Sequence, residues 1–436
     1  MAEDLLTMDA EHPVIEVFGV RWRLDASGLD PEVRHNLTHL WRRAIVEDDG
    51  VTEVETFRVG PGHTPADGAG VAASTEDEFL PYAVSRAVTM ASITRRAGGS
   101  LMLHAAGLAS PSGATVALVA ASGTGKSTAS RLLGQQFGYI SDETVIVELD
   151  ERFSISAHPK PLSIITDPER RHDKTEVSPD DAGLLVAPDD AHLAALVILD
   201  RDPEAERAEL VPMGLVEAMT KIIPHSSSLT LLHRPLQTLA RAATLGDGPW
   251  RMQYAEIADC VPLVEGLLKD PPVVPPQAAV VWRGFDGSVL PESASILQVR
   301  DREPPTREPN DAIVEDAVTV EDGVALEAEQ AAEPPWANGS ELDGLDDSWT
   351  VDRTPFRDAV ESGGQTLVLV DRIPLVLPGL ASVLWTALEE PRTVNDLLAS
   401  TIEQLGEHPD AREFVLDTVR GLVGHDALRV RAPIST

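Results

Sequence analysis

The chain has 436 residues, which is enough for two or three hydrophobic cores, since single domains usually stop near about 200 residues. Acidic residues outnumber basic ones by 71 to 35, and the formal charge of −36 disfavours binding to nucleic acid or to anionic lipid. The start of the chain is acidic, and no apolar run approaches the roughly 20 residues that span a bilayer. We therefore expect a cytoplasmic protein without a nucleic-acid or membrane partner. The single cysteine, Cys260, has no partner for an internal disulfide and is expected in a core.

The N-terminal segment, residues 1–85, is predicted to be an α+β layer that packs on the domain after it. Residues 14–24 alternate partly between apolar and polar side chains, which indicates a strand pair. Apolar residues at helical spacing predict a first helix over 31–46, and a second helix runs from Leu80 toward Arg95 before two glycines.

Strand-like and helical stretches then alternate as far as about residue 270. Such a rhythm is typical of an α/β domain, which we assign to residues 86–270. The predicted strands include residues 114–120, 144–149, 193–199 and 228–233.

A glycine-rich loop, VAASGTGKST, occupies residues 119–128 between a predicted strand and a predicted helix. A phosphate-binding loop needs inward backbone N–H groups, a helix N-terminus, a lysine for the outer phosphates and a hydroxyl for magnesium. Lys126 and Ser127 meet the last two needs, and Ala120 stands where the first glycine is usual. The alternative is a glycine-rich turn with a solvated lysine. The predicted nucleotide-binding residues are Ala121, Ser122, Gly123, Thr124, Gly125, Lys126, Ser127 and Thr128.

Two acidic segments are candidates for the carboxylate that accompanies such a loop. Asp200 ends an apolar strand, as the acid of many ATPases does. Asp142 and Glu143 lie one helix and one turn beyond Lys126, near the start of the next strand. We favour the acidic pair and interpret Asp200 as an acid that caps its strand.

Residues 103–147, LHAAGLASPSGATVALVAASGTGKSTASRLLGQQFGYISDETVIV, resemble the catalytic core of HPr kinase/phosphorylase. In that family a histidine segment precedes the P-loop, and an Ala-Asp-Asp element follows one helix later. His104, the loop at 120–127 and the Ser-Asp-Glu element at 141–143 match these three parts in order. The resemblance implies an ATP-dependent serine kinase with an HPr-kinase-like P-loop fold.

Phosphoryl transfer to a hydroxyl needs clamped phosphates, magnesium and a carboxylate that accepts a proton. We assign Lys126 to the phosphates, Asp142 to the proton, and Ser127 with Glu143 to Mg²⁺. His104, carried over from the family's histidine, is expected to pair with the acidic residues or with a phosphate oxygen; the alternative is an ordinary histidine at a strand end.

The substrate is expected to differ from the family's carrier protein. Thr128 replaces the usual glutamate after GKS, and the family's downstream glycine-rich signature is not found. The polar stretch at 170–179 is either an exposed loop or a cover for the acceptor, with Arg171 and Lys174 holding anionic groups.

Residues 271–349 are predicted to be an acidic, largely flexible linker. Between residues 311 and 347 the acidic side chains are not interrupted by any lysine or arginine, which is typical of a solvated segment. They are Asp311, Glu315, Asp316, Glu321, Asp322, Glu327, Glu329, Glu333, Glu341, Asp343, Asp346 and Asp347. An acidic docking tail is the functional alternative.

A small module is predicted at residues 350–436, with strands, three helices and a closing strand in a winged-helix arrangement. Its second helix starts after Thr393, a plausible N-cap, and ends at Gly406. The segment around Leu384, Trp385 and RTVNDLL resembles PqqD-like peptide-binding modules. That resemblance implies a leader peptide bound as an added strand, and the alternative is a docking or dimerisation module.

The sequence thus predicts an α/β P-loop kinase domain and a winged-helix α+β domain joined by an acidic linker. The expected activity is ATP- and Mg²⁺-dependent phosphorylation of a Ser or Thr hydroxyl in a peptide or a small molecule. The alternative is an ATP-binding conformational switch, or a degenerate kinase that serves as an interaction protein. Whether the chain forms a homo-oligomer is left open.

Overall fold

A computed structural model of the protein describes residues 12–60, 71–72, 80–120, 125–165, 174–287, 336, 342 and 344–433. It is a mixed α/β protein with several multi-stranded sheets. The chain divides into two compact units, one of residues 1–291 with 355–383 and one of residues 292–354 with 384–436. In the described part of the chain, no helix has both the length and the apolar character that a bilayer-spanning segment requires.

The N-terminal layer of the first unit contains four strands and two helices, which confirms the predicted strand pair and both predicted helices. The first helix begins with Pro31 directly after Asp30, whose side chain accepts a hydrogen bond from the backbone N–H of Glu32. The elements are β1 (Val14–Val17), β2 (Val20–Asp25), α1 (Pro31–Trp41), β3 (Val54–Val59), β4 (Val71–Ala72) and α2 (Leu80–Arg96).

The middle of the first unit continues with strands that alternate with short helices. The elements are β5 (Ser100–Leu103), β6 (Ala105–Ala109), β7 (Ala114–Val119), α3 (Lys126–Leu133), β8 (Gly138–Ser141), β9 (Val145–Glu148), β10 (Ile155–Ser156), β11 (Leu162–Ile165), β12 (Lys174–Val177), β13 (Leu185–Val186), β14 (His192–Arg201), β15 (Glu209–Pro212), α4 (Leu215–Ile222), β16 (Ser226–Ser227), α5 (Pro235–Ala243), β17 (Trp250–Tyr254) and α6 (Val261–Leu267).

The remaining elements are β18 (Arg283–Asp286), β19 (Thr350–Arg353), β20 (Asp358–Ser362), β21 (Gln365–Val370), β22 (Ile373–Pro378), α7 (Leu380–Ala387), β23 (Arg392–Thr393), α8 (Val394–Leu405), α9 (Ala411–Gly424) and β24 (Leu428–Arg431). The three predicted C-terminal helices and the closing strand are confirmed. β18 lies inside the predicted linker, and most of the acidic run lies outside the described residues.

The central sheet has seven strands in the order β13-β8-β6-β7-β14-β17-β15. β7, β14 and β17 are parallel to one another, while β6 runs antiparallel to both β7 and β8. β7 is buried along its whole length, and its side chains alternate between two apolar clusters. Ala117 and Val119 pack in one cluster, and Val116 and Leu118 pack in the other. A continuous apolar run therefore reflects a strand that is covered on both faces.

A four-stranded sheet and a two-stranded sheet accompany the central sheet in the first unit. β10-β9-β5-β16 form an antiparallel sheet, and β11 pairs with β12. Cys260 is free and fully buried in a core cluster, as expected, and burial raises the pKa of its thiol to about 12.

The prediction of a strand over residues 228–233 was wrong. Ser228 takes a left-handed conformation with φ of 56°, and Leu229–Leu231 form a turn of 3-10 helix. Leu229 and Leu232 are both buried in the core. The apolar run at 228–233 therefore contains two leucines that reach the core from a turn. A run of apolar residues of this length is also typical of a short strand.

A four-stranded antiparallel sheet, β18-β20-β21-β22, belongs to the first unit together with α5. The Asp358 carboxylate accepts hydrogen bonds from the backbone N–H groups of Leu236 (2.7 Å) and Gln237 (3.0 Å) at the first turn of α5. Val360 and Leu367 enter the core of this unit. The predicted module at 350–436 is therefore shared between the two units.

The second unit contains the sheet β23-β19-β24 with α8 and α9. Thr393 caps α8 as predicted, because its hydroxyl accepts a hydrogen bond from the Asp396 N–H (3.1 Å). The guanidinium of Arg353 lies 4.0 Å from the ring centroid of Trp385 and donates to the Trp385 carbonyl at 2.9 Å.

Candidate functional site

One edge of the central sheet gathers three segments that the sequence analysis selected. β6 is antiparallel to β7 and to β8, so the carboxyl ends of β7 and β8 lie at the same edge as the start of β6. Ala105 pairs with Val119, and Gly107 pairs with Ser141. The topology therefore brings His104, the loop after β7 and the acidic turn after β8 to one side of the molecule.

The loop after β7 leads directly into α3. Gly125 precedes this helix with φ of 105°, a conformation that a residue with a Cβ atom adopts only at a cost. Ser127 and Thr128 lie on the first turn of α3 and are exposed. The other predicted nucleotide-binding residues, Ala121, Ser122, Gly123 and Thr124, lie outside the described residues.

Lys126 is the first residue of α3, and its side chain is buried. Its ammonium donates a hydrogen bond to the carbonyl of Ala120. Burial lowers the pKa of Lys126, and attraction to Glu143 partly opposes this effect. The ammonium is therefore held at the Ala120 carbonyl, where an additional anionic partner would stabilise its charge.

His104 precedes β6 at the same edge. Its backbone N–H donates to the carbonyl of His225 at 2.7 Å, which fixes the strand start. Burial lowers the pKa of the His104 imidazole, and the charge of Lys126 lowers it further, while Glu143 raises it. The neutral imidazole is consequently favoured at neutral pH. The strand pairing places His104, the start of α3 and the acidic turn at the same edge, which agrees with these influences.

The acidic pair lies in a tight turn after β8. The Ser141 hydroxyl accepts hydrogen bonds from the backbone N–H groups of Glu143 (3.2 Å) and Thr144 (3.1 Å). Asp142 is buried, with 6% of its surface exposed, whereas the Glu143 side chain is 43% exposed. The two carboxylates therefore differ in access to solvent although they are adjacent in sequence.

Close packing beneath this turn depends on a glycine in β6. A Cβ atom at Gly107 would lie 2.9 Å from Ile140 Cβ and from Val145 Cγ2, which is closer than real Cβ contacts. Gly107 thus leaves room for the side chains of Ile140 in β8 and Val145 in β9 to pack against β6.

Lys160 contacts both acidic residues of the candidate site, and sequence reasoning missed it. Its side chain is 2% exposed, and its Nζ lies 3.2 Å from Asp142 Oδ1 and 3.3 Å from Glu143 Oε2. Burial lowers the pKa of Lys160, but Asp142, Glu143 and Glu176 raise it by more, so it lies above its usual value. The signal in the sequence was a lysine between two prolines, HPKP, in a chain with few lysines.

Tyr139 is a second contact of Asp142. The Tyr139 hydroxyl donates to Asp142 Oδ1 at 3.0 Å. Burial, together with the charge of Asp142, raises the pKa of Tyr139 well above its usual value, so the phenol keeps its proton. Asp142 is consequently held by a neutral donor from β8 and a cationic donor from the segment before β11.

A third buried carboxylate, Glu176 of β12, acts on the charge of Lys160. It accepts hydrogen bonds from the hydroxyls of Ser85 (3.1 Å) and Ser163. Burial raises the pKa of Glu176, while the charge of Lys160 lowers it. Ser85 belongs to α2, so its hydrogen bond to Glu176 links this buried carboxylate to the N-terminal layer.

The remaining predicted candidates lie elsewhere or cannot be described. Asp200, near the end of β14, pairs with Arg251 of the neighbouring strand β17 at 3.4 Å. Arg171 lies outside the described residues, and the side chain of Lys174 does so as well.

Among the described residues, no group of three or more His, Cys, Asp or Glu side chains has an arrangement suited to holding a metal. The oxygen donors at the edge are the exposed hydroxyl of Ser127 and the partly exposed carboxylate of Glu143. Magnesium prefers oxygen ligands and commonly takes only one or two from protein when nucleotide phosphates supply others. The donors present fit that kind of site.

A scan of the chain against protein-family models finds no match, and a search of curated proteins finds no significant match.

Proposed function

We propose that this protein is an ATP-dependent phosphotransferase that resembles HPr kinase and phosphorylates a Ser or Thr hydroxyl of a peptide or of a small molecule. The observation that supports this most strongly is the convergence of His104, Lys126 and the Asp142–Glu143 pair at one sheet edge. These are the parts that a phosphoryl transfer to a hydroxyl requires.

In the proposed complex the loop at 120–127 and the start of α3 bind the phosphates of ATP. The Lys126 ammonium leaves the Ala120 carbonyl for a phosphate oxygen, a stronger and charge-assisted partner. Ser127 and Glu143 hold Mg²⁺, which neutralises phosphate charge when it is bound. His104 in its neutral form orients the backbone at Glu143 or a phosphate oxygen.

The transfer is a single substitution at phosphorus. The oxygen of the acceptor hydroxyl forms a bond to the γ-phosphorus, and the bond between this phosphorus and the β,γ-bridging oxygen breaks. ADP leaves with that bridging oxygen, and the hydroxyl proton passes to the Asp142 carboxylate. Asp142 is suited to this because it is buried in the turn after β8 and already held by two donors.

The finer fold assignments belong to the same proposal. We infer a P-loop kinase fold for the domain around the central sheet, a winged-helix fold for the C-terminal helices with their small sheet, and a cytoplasmic location. The order strand, loop, helix at β7 and α3 supports the first assignment, and the order α7, β23, α8, α9, β24 supports the second.

Peptide binding by the C-terminal module is proposed from the PqqD-like resemblance. β22 is an edge strand, and it exposes Ile373 and Val376. Pro374 and Pro378 in this strand have no N–H to offer, so an added peptide strand would depend mainly on carbonyl acceptors there. Peptides are therefore compared with small acceptors in the test.

The proposal is tested by release of label from γ-labelled ATP with Mg²⁺. The acceptors are water, free serine, and synthetic peptides that contain serine or threonine. We expect Lys126→Ala to lose nucleotide affinity, and Asp142→Asn to lower the transfer rate about 100-fold or more while nucleotide affinity stays within about threefold. Nucleotide affinity is measured separately by calorimetry with ADP and Mg²⁺.

Two results would overturn the kinase proposal. One is a wild-type rate no higher than that of Lys126→Ala with every acceptor. The other is equal slow hydrolysis by the wild type and Asp142→Asn with no label on any acceptor, which would favour the nucleotide-dependent switch if ADP still binds.

A further inference from the structure

The buried ammonium of Lys160 is saturated by oxygen atoms. Its Nζ lies 3.2 Å from Asp142 Oδ1, 3.3 Å from Glu143 Oε2 and 3.1 Å from the carbonyl oxygen of Pro161. A lysine ammonium has three N–H donors, so each donor has one oxygen within reach. A fully buried and fully engaged lysine has little freedom to change its position.

Two donors from separate elements meet on the same oxygen of Asp142. Tyr139 reaches Oδ1 from within β8, and Lys160 reaches it from the segment before β11. Both donor side chains are almost completely buried. A carboxylate held from two directions has one preferred rotamer, which is the condition for a group that must meet a reacting atom accurately.

Lys160 also allows two carboxylates to lie side by side. Asp142 and Glu143 are adjacent in the turn after β8, and two negative charges at this separation repel each other. The single ammonium contacts both of them and so offsets the repulsion. Lys126, the other cation at this edge, instead contacts the Ala120 carbonyl.

We propose that Lys160 is the positioning residue of the phosphoryl transfer: it fixes Asp142 through Oδ1, so that Oδ2 faces the acceptor hydroxyl and takes its proton. This inference rests on the proposed function. Lys160 touches neither nucleotide nor acceptor; it acts on the proton transfer through Asp142, and its second contact is with Glu143. It therefore affects the transfer rate and leaves nucleotide binding to the loop and to Lys126.

The test uses the full chain with Lys160→Gln, whose amide still donates hydrogen bonds but carries no charge. Lys221→Gln, on the exposed side of α4 in the same unit, is the matched control. Release of label from γ-labelled ATP in the presence of Mg²⁺ is measured under single-turnover conditions, with enzyme in excess. This measurement resolves rate constants that differ by several orders of magnitude. Water is the probe acceptor, together with any peptide that the wild type labels.

We expect Lys160→Gln to lower the transfer rate about 10- to 100-fold, because a small misplacement of a reacting group has an effect of this size. The dissociation constant for ADP without Mg²⁺ should stay within about threefold of the wild type, because Lys160 contacts Glu143, the proposed Mg²⁺ ligand, but not the loop lysine. Lys221→Gln should match the wild type in both measurements.

A double-variant comparison separates positioning from a merely structural role. If Lys160 acts through Asp142, then Asp142→Asn/Lys160→Gln is no more than about threefold slower than Asp142→Asn alone. If Lys160 instead acted independently of Asp142, the reductions in rate of the two single variants would multiply in the double variant. This comparison also applies if Lys160→Gln alone does not fold, because the double variant has a neutral pair at the site.

The outcomes distinguish the two proposals. A wild-type rate for Lys160→Gln, or multiplied losses in the double variant, overturns the role of Lys160 while the kinase proposal stands. Equal slow hydrolysis by the wild type and Asp142→Asn, with no acceptor labelled, overturns the kinase proposal itself, whatever Lys160→Gln does.

Discussion

Two buried lysines at the same sheet edge have pKa values that shift in opposite directions. Burial lowers the pKa of Lys126, and the charge of Glu143 opposes the effect only in part. For Lys160 the same burial is outweighed by Asp142, Glu143 and Glu176, and its pKa is raised. Lys160 is therefore cationic without a ligand, whereas the charge of Lys126 gains its best partner only when an anion binds. This difference fits one lysine for positioning and the other for phosphate.

His158 is a buried histidine whose role is structural. It is fully buried against the ring of Phe18, at 4.2 Å between centroids, and its Nε2 lies 3.2 Å from the Thr89 hydroxyl. Its Nδ1 has no hydrogen-bond partner among the described residues. Burial lowers the pKa of His158 well below 6.5, and the charge of Lys160 adds to this effect. The folded state therefore holds this imidazole in its neutral form.

We predict that His158 contributes to acid sensitivity. Its folded pKa is below its unfolded value near 6.5, so the unfolded chain binds the proton first as pH falls. The stability that neutral His158 provides is complete above about pH 6.5 and is lost below it, by at most about 1.4 kcal/mol per pH unit. Denaturation of the wild type and His158→Gln between pH 7.5 and 5 should give a flatter slope for the variant.

The matched control for that comparison is His408→Gln, since His408 is an exposed histidine of the second unit. The prediction fails if His158→Gln and the wild type lose stability in parallel over this pH range.

At the scale of single elements, α1 and α8 carry their start signal in the local sequence. Asp30 and Pro31 open α1, and Thr393 opens α8. α5 is different, because its first turn is capped by Asp358, a residue more than a hundred positions away in the chain. A local cap is visible in the sequence, and a cap from a distant strand is not.

We predict that Thr393→Ala destabilises the start of α8 by about 1 kcal/mol, because the Asp396 N–H loses its acceptor. Hydrogen exchange of backbone amides in 394–405, followed by mass spectrometry, should become about fivefold faster in this variant. Thr393→Ser keeps the hydroxyl and should exchange at nearly the wild-type rate. Thr418→Ala in α9 is the control, since the Thr418 hydroxyl bonds only within its own helix. Unchanged exchange in Thr393→Ala would contradict the capping role.

At the scale of the whole molecule, the division into units does not follow the order of the chain. Residues 355–383 come after the predicted linker, yet they belong with the first unit. The fully buried Val360, Leu367 and Leu369 of β20 and β21 are part of its core. The first unit is consequently completed by a segment that the sequence pattern assigns to a separate module.

We predict that a chain ending at residue 349 is less stable in its first unit than a chain ending at residue 379. Removing three buried aliphatic side chains costs roughly 5 kcal/mol or more, at about 1.5 to 3 kcal/mol each. The Asp358 cap of α5 is lost as well. Thermal unfolding followed by circular dichroism measures the difference. Equal transitions for the two chains would show that the first unit does not need β20 and β21.

The sequence by itself determined much of the local structure. Apolar periodicity predicted α1, α2 and the C-terminal helices, and continuous apolar runs predicted β7, β9 and β14. Part of the candidate site was also predictable, because a glycine-rich loop and an adjacent acidic pair are contiguous signals. These features were readable because helix periodicity, strand burial and turn chemistry each involve residues close together in the chain.

Only the tertiary structure decided which distant residues share a site. Lys160 contacts Asp142 because the segment before β11 crosses beside the acidic turn after β8. Leu229 and Leu232 enter the core from a turn, although their spacing also suits a strand. The burial of a charge, its partners and the resulting pKa depend on contacts between elements, and one sequence pattern is compatible with many such contacts.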